Sequence, residues 1–507
     1  MKKRFRPRTP SGRRGISRRE FLRVSGAGLA GASLLGSGAL AGCSGGPGAS
    51  VSPDADMWKR YSGTTLNFVS ENTSPTSAIA ANLAPFKELT GINVNVVQLE
   101  LGALVQKVAL DIGSGEGAYQ IVYADPYQIM APYHEALVDL NEFNEDDELP
   151  SIPKGLDDFI PTQLAAAGHF ENEKELYALP YDCPTMIWMY RKDLFEKYGD
   201  RMSQDLGFEP TPSPSSTWEE YYQIANWFNE NVDDVPYGTG HQARQYDSLM
   251  CDFSNILWAY GGDYFDNPKV GSLGAFDPGP CVLDRPEALE AAAFYKKLLD
   301  ISHPGSVSWD WNATDEAFRT AQIAMCPNWH EFAAVDEDPA ESEVAGKIGY
   351  APLPKGPVRR ADMWGGTGVG INNRASPDEQ RAAWLFLVWA TSPDTMLMGM
   401  KSDVGGGTPT RGSLYELPEV EKAMEPPSNM PNLLTYDAVS VAWRPENIGL
   451  RPKVQSWNEC DTAIYTEVSK MLAGQKSPEE AMKTAKQYFD EAQTRVQNLA
   501  SRRTGVA

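Results

Sequence analysis

The residue best placed for covalent chemistry is Cys43. It closes the run Leu40-Ala41-Gly42-Cys43, where small residues precede a thiol. That ending resembles a lipobox, in which the sulfur accepts a diacylglyceryl group and cleavage leaves the cysteine as the new N-terminus. Upstream, Ser17-Arg18-Arg19-Glu20-Phe21-Leu22-Arg23 is a twin-arginine motif, followed by a charge-free, weakly apolar run from Val24 to Leu40. The run is glycine-rich and shorter than the roughly 20 strongly apolar residues a spanning helix needs. Residues 1–42 are therefore expected to be a removed export signal. Cys43 would hold the protein by lipid on the outer face of the cytoplasmic membrane, extracellular or periplasmic.

Catalytic patterns are missing. There is no GxSxG elbow, HExxH or Walker A sequence, so a serine triad, a zincin site and an ATPase site all lack their marks. Glycoside hydrolysis needs two carboxyl groups roughly 5 to 10 Å apart across the bond, and the neighbours Asp157-Asp158 and Asp233-Asp234 point apart. The histidines His134, His169, His241, His303 and His330 fall at no metal-ligand spacing, and the acidic run Glu142 to Glu148 lacks the DxDxDG order of a calcium loop. Gly366-Thr367-Gly368-Val369-Gly370 does not make the GxGxxG of a dinucleotide loop. The expectation is a protein that is not an enzyme and has no metal and no cofactor.

The chain has 507 residues and a formal net charge of -23. The expected signal carries ten lysines and arginines against Glu20 alone, so the remainder is more acidic still. Such a surface argues against nucleic acid as a partner, and against an anionic ligand unless a local basic pocket compensates. Besides Cys43 there are Cys183, Cys251, Cys281, Cys326 and Cys460. Five is odd, so one thiol stays free; Cys251 with Cys281 is the first pairing to expect.

The elements that must position any site alternate. Ser44 to Pro53 is rich in Gly, Ser and Pro, and residues 43–60 are expected to be a flexible tether. Beyond it, Thr65 to Val69 reads as a strand, Ser77 to Leu89 as a helix, Ile92 to Leu99 as a strand, Leu101 to Ile112 as a helix and Gln120 to Ala124 as a strand. This β-α-β-α-β order implies parallel strands, with ligand beyond their carboxyl ends. Ala178 to Tyr190 is nearly uncharged and long enough, as a strand, to leave one lobe and enter another. Helices are expected over Trp218 to Asn229, Tyr246 to Tyr260 and Pro286 to Leu299, and a short strand over Thr367 to Ile371. Asp378 to Trp389 reads as a helix buried on most sides. The last helix opens with the capping sequence Ser477-Pro478-Glu479-Glu480.

With these elements in order, the chain resembles the family 1 extracellular solute-binding proteins, the carbohydrate-binding subunits of bacterial ABC importers. The resemblance rests on Phe86-Lys87-Glu88-Leu89-Thr90-Gly91-Ile92, Leu176-Tyr177-Ala178-Leu179-Pro180-Tyr181, Trp188-Met189-Tyr190-Arg191-Lys192-Asp193-Leu194-Phe195 and Gly261-Gly262-Asp263. It continues through Ala324-Met325-Cys326-Pro327-Asn328-Trp329, Gly365-Gly366-Thr367-Gly368-Val369-Gly370-Ile371-Asn372, Thr408-Pro409-Thr410-Arg411 and Gly474-Gln475-Lys476-Ser477-Pro478. It implies an α/β, two-lobe periplasmic-binding-protein fold, with residues 61–180 plus 358–410 in one lobe and 181–357 plus 411–500 in the other. The hinge would cross at Ala178 to Thr185, Pro354 to Trp364 and Val404 to Arg411. The implied partners are a small sugar or polyol and the membrane subunits of an ABC permease, with the receptor a monomer.

A sugar has an apolar C–H face and a ring of hydroxyls, matched by aromatic rings and by carboxylates, amides or arginine. Candidates of those types are Glu71 and Asn72 after the first strand, Asp125 and Tyr127 after the third, and Asp182 in the first crossing. Tyr246, Trp258 and Asp263 are expected from the second lobe, with Trp329, Trp364, Gly366 and Arg411. The first-strand positions, Tyr246, Trp329 and Trp364 to Gly366 match places where family members contact sugar. Two alternatives stand beside this reading: an anionic solute such as a polyol phosphate, clamped by Arg244, Arg411 or Arg444, and an extracellular carbohydrate-active enzyme on the same scaffold.

Overall fold

The computed structural model describes residues 57–504 apart from Asp403 and Gly405. The expected signal, Cys43 and most of the tether lie outside the described residues. The tether's expected end does not hold: residues 57–59 are helical, and Arg60 pairs with Glu148 at 2.7 Å, so folded structure begins before residue 61.

β1 (Thr65–Glu71) buries Leu66, Phe68 and Val69 and ends at Glu71. The helix expected next is two helices. α1 (Ser74–Ala81) is capped by Thr73, and α2 (Ala84–Thr90) starts afresh with Pro85 in its first turn. Proline has no amide hydrogen to donate and its ring crowds the carbonyl four residues back, so one continuous helix through Pro85 is blocked. β2 (Asn93–Leu99), α3 (Leu101–Ser114) and β3 (Ile121–Ala124) follow as expected, and β1 pairs in parallel with both β2 and β3.

After α4 (Pro161–Gly168), β4 (Leu179–Asp182) and β5 (Met186–Arg191) divide the long expected strand between two sheets. The chain changes sheets at residues 183–185. In the second sheet, β6 (Tyr237–Thr239), β7 (Ile323–Trp329) and β8 (Ile348–Ala351) join β5 in the order β6-β7-β5-β8. Around it lie α5 (Trp218–Asn231), with a full capping box from Thr217 and Glu220, α6 (Asp247–Ala259), buried along its whole length, and α7 (Trp311–Arg319). β9 (Asp362–Met363) belongs with the second core, and β10 (Thr367–Ile371) returns to the first sheet. There it lies antiparallel between β3 and β4, giving the order β2-β1-β3-β10-β4. The return crossing is thus residues 364–366.

Each sheet has its own hydrophobic core. The first gathers Phe68, Phe86 and Phe386, with α8 (Pro377–Ala390) buried from Ala382 onward. The second gathers Trp188, Trp218 and Tyr221 and takes in β11 (Ile448–Gly449), paired with β9, and the final helices α9 (Trp457–Leu472) and α10 (Pro478–Thr504). All five described cysteines are buried free thiols, so the expected Cys251–Cys281 bridge is absent. Cys251 faces Asp247 one turn back on α6 at 3.5 Å, whereas Cys281 bridges to Phe265. None of the described helices is long and apolar enough to cross a membrane.

Candidate functional site

A cavity of about 260 Å³ opens where the carboxyl ends of β1, β3 and β4 meet the end of β7 and the start of α6. The first lobe lines it with Glu71, Asn72, Thr73, Ser74, Tyr123, Asp125 and Asp182. The second contributes Asp247, Cys251, Trp311, Asn312, Trp329, Glu331 and Arg451, and Pro184 and Gly365 come from the two crossings. Carboxyl ends are where an open α/β sheet leaves side chains of neighbouring strands free to converge.

Arg451 ties the two lobes together inside this cavity. Its Nη2 donates to Asp125 Oδ2 at 3.2 Å, and its Nη1 lies 3.7 Å from Asp247 Oδ1. Asp125 Oδ1 meanwhile accepts the Tyr127 and Gln128 amides at 2.9 and 2.7 Å, and Gln128 Nε2 donates to Asp247 at 2.8 Å. The guanidinium also sits 4.2 Å over the Tyr127 ring. Burial alone would lower an arginine, but the two carboxylates overcome it and raise Arg451 above its ordinary value.

The other three carboxyl groups have no such partner. Asp182 is fully buried beside the Glu331 carboxyl and the Thr73 hydroxyl, with no cation paired to it among the described residues. Burial, with the Glu331 charge next, raises it well above the usual carboxylate range. Burial likewise pushes Glu331 up to about 7, although the Thr408 amide donates to it at 2.8 Å and opposes the shift. Glu71 is pushed up to about 8, first by burial and then by the Asp125, Asp182 and Asp247 charges, with a Tyr123 hydrogen bond opposing.

Two tryptophans supply the aromatic surface. Trp329 ends β7, and its ring lies so close to Gly365 that a Cβ there would stand 2.7 Å from Trp329 Cζ3. Only glycine permits that approach. Trp311 opens α7 behind the capping Asp310, with the Tyr246 ring 5.4 Å away. The set combines flat apolar faces, carboxyl groups and the Asn72 and Asn312 amides, which is the chemistry needed to hold a polyhydroxylated molecule.

Of the residues expected from sequence, Glu71, Asn72, Asp125, Asp182 and Trp329 line the cavity. Tyr127 stands behind it under Arg451, and Tyr246 reaches it only through Trp311. Gly366 is displaced by its neighbour Gly365, which is the lining residue. Trp364 is fully buried in the second core. Trp258 packs against Tyr264, and its Nε1 donates to Asp263 at 3.3 Å, so this pair serves structure and not the cavity. Arg411 is also structural: it is fully buried, donates to the carbonyls of Thr391, Pro153 and Gly155 at 2.9 to 3.1 Å, and lies 3.6 Å over Phe159. The expected arginine clamp is not formed, since Arg244 pairs with Asp310 at 2.9 Å and neither it, Arg411 nor Arg444 lines the cavity.

Tyr123, Asp247, Trp311, Glu331 and Arg451 were not expected. Trp311 had a local signal in the Asp310-Trp311-Asn312 helix start, and Glu331 lies two residues past Trp329. Arg451 had none. Among the described residues, no three His, Cys, Asp or Glu side chains are grouped so as to hold a metal ion.

The profile of a family of bacterial extracellular solute-binding proteins matches residues 70–397. The probable amino-acid ABC transporter periplasmic-binding protein y4oP of Sinorhizobium fredii is 26% identical over 431 residues, covering 84% of this chain and 89% of that one. The structure is similar to that of an ABC transporter solute-binding protein from Agrobacterium radiobacter in complex with ribitol. That likeness has a TM-score of 0.67 and 25% identity, and covers 87% of this chain and 99% of the other. Maltose-bound MalE3 of T. maritima shares the fold with a TM-score of 0.68 at 24% identity, over 84% and 98% of the two chains.

Proposed function

This chain belongs to the bacterial extracellular solute-binding proteins of ABC transporters, and we propose that it is the receptor for a small sugar or polyol. The ligand is held between the lobes, which close on it as a hinge, and is passed unaltered to the permease. The observation that carries this reading is the cavity itself: two tryptophan faces, two asparagine amides and a ring of carboxyl groups at the meeting of two α/β lobes. The ribitol complex of the Agrobacterium relative supports it. Lipid attachment at Cys43 keeps the receptor beside the permease, on the outer face of the membrane.

The name of the Sinorhizobium relative raises an amino acid as the alternative. An amino acid brings a carboxylate that needs a cation. Arg451 is the one cationic side chain lining the cavity among the described residues, and Asp125 and Asp247 already hold it. The same shortage of positive charge weighs against a polyol phosphate.

The test is a titration of the purified full chain, kept in mild detergent, with sugars, polyols, amino acids and sugar phosphates. Tryptophan emission and the thermal midpoint are read together. A ligand at about 100 times its Kd adds roughly 2.7 kcal/mol of stability, and stacking on Trp329 or Trp311 changes the emission. Recovery of the sugar intact separates a receptor from an enzyme, and response only to amino acids or phosphates overturns the reading.

A further inference from the structure

We propose that the ligand is a polyhydroxylated molecule carrying an ammonium group, an amino sugar or amino polyol, whose charge is seated between Asp182 and Glu331 with Glu71 beside them. This rests on the sugar or polyol reading and narrows it.

Among the described residues, five carboxyl groups and one cation line the cavity. Asp125 and Asp247 take up that cation, Arg451. Asp182 and Glu331 lie against each other across the lobes, and the Asp182 charge also bears on Glu71. Asp182 is the decisive residue. It lines the cavity, has no exposure to solvent, lies against the Glu331 carboxyl, and has no cationic partner among the described residues. Two buried carboxyl groups set against each other without a cation are answered by a donor that bears positive charge.

The groups packed around the trio supply no positive charge. His330 donates or accepts within the Thr185 and Thr408 contacts and is pushed down to about 3 by burial, so it is neutral. Tyr123, Cys183 and Tyr415 are all raised by burial and are neutral as well. A neutral polyol satisfies hydrogen bonds here but leaves the carboxyl groups to carry their own protons. An ammonium lets them ionise. Trp329 and Trp311, which also line the cavity, offer ring faces to the C–H side of the ligand and attract a cation held near them.

Matched pairs decide this, each differing only by ammonium for hydroxyl: D-glucosamine against D-glucose, 1-amino-1-deoxy-D-glucitol against D-glucitol, and the disaccharide equivalents. Calorimetry uses the full chain in mild detergent, at about pH 7, where the amino members are mainly ammonium, and about pH 5, with a hydroxyl-free diamine as control. The expected result is at least a tenfold tighter Kd for the amino member of one pair at the higher pH, with proton release on binding. The preference shrinks toward parity at the lower pH, where the carboxyl groups are protonated. Asp182→Asn and Glu331→Gln, made separately and checked for folding by thermal midpoint, each bring the Kd values of the amino and hydroxyl members to parity. Equal or tighter binding of the hydroxyl members overturns the proposal and leaves the sugar or polyol receptor standing. Binding of the diamine alone, or of no member of any pair, overturns both.

Discussion

Asp125 and Asp247 belong to different lobes, the first just past β3 and the second at the start of α6, and both reach the guanidinium of Arg451, at 3.2 and 3.7 Å. The lobes therefore meet inside the cavity through a buried cation held by two anions. Removing one member of such a set leaves uncompensated buried charge. Arg451→Met is expected to destabilise the protein by about 3 to 5 kcal/mol at neutral pH, measured by urea unfolding. The loss should shrink in mild acid, where Asp247, already raised by burial, takes up a proton. An equal loss at both pH values would show that packing and not charge is at stake.

Gly365→Ala tests the aromatic wall. The added Cβ would stand 2.7 Å from the Trp329 ring, closer than contact allows, so the ring must turn away from the cavity. Overpacking of this kind costs about 1 to 3 kcal/mol. The expected outcome is a shifted tryptophan emission and at least tenfold weaker ligand binding, with a modest fall in thermal midpoint. Unchanged affinity would remove Trp329 from the site.

Arg411 makes the opposite prediction. Its guanidinium donates to backbone carbonyls, lies 3.7 Å from Asp158 Oδ2 and stacks on Phe159, away from the cavity. Arg411→Met leaves buried carbonyls unpaired and should destabilise by about 3 kcal/mol or more, each orphaned acceptor costing roughly 1 to 3. The ligand Kd of the surviving folded protein should change less than threefold. A large loss of affinity at unchanged stability would return Arg411 to the site.

Lys453 is buried with its ammonium on the carbonyls of Ala165, Ala166 and His169, at and just beyond the end of α4. It satisfies the terminal carbonyls of that helix, while burial pushes its own pKa well below that of a free lysine. Lys453→Met keeps the stem and removes the donors. A loss of about 2 to 4 kcal/mol is expected in urea unfolding, against little change if solvent satisfies those carbonyls instead.

Local pattern was enough where a residue's position follows from its own element. Glu71, Asn72 and Asp125 stand at the ends of strands whose apolar runs are visible in the chain, and a strand's end in an open sheet is a place for ligand. Thr367–Ile371 was legible for the same reason. The split of Ser77 to Leu89 turns on Pro85, which lacks an amide hydrogen and crowds the carbonyl four residues back. Trp258 and Trp364 could not be sorted, because a tryptophan suits a core as well as a sugar. Arg451 and Asp125 are 326 residues apart, and β10 also returns from far along the chain to lie between β3 and β4, pairing Gly368 with Ala124 and Thr367 with Asp182. No local signal encodes either; both follow from packing of the whole chain.

The carboxyl groups also set the pH response of the ligand-free protein. Glu331 has an ordinary value of 4.5 and is pushed up to about 7 in the fold. Between these values the folded state binds the proton that the unfolded chain releases, so the group's contribution to stability is full below about 4.5 and is lost as pH rises through about 7. Asp182 is raised as well and acts in the same direction. Without ligand, stability should fall by on the order of 2 to 4 kcal/mol between about pH 5 and pH 8, seen as a declining urea midpoint. Glu331→Gln should make that slope shallower, because the amide cannot ionise, while Asp182 and Glu71, also raised, keep part of it. A bound ammonium should flatten it too, since it stabilises the ionised pair, whereas a neutral polyol should leave the slope in place. A wild-type midpoint that rises over this range would mean that Asp182 and Glu331 are ionised in the empty cavity, and that a cation already present holds them so.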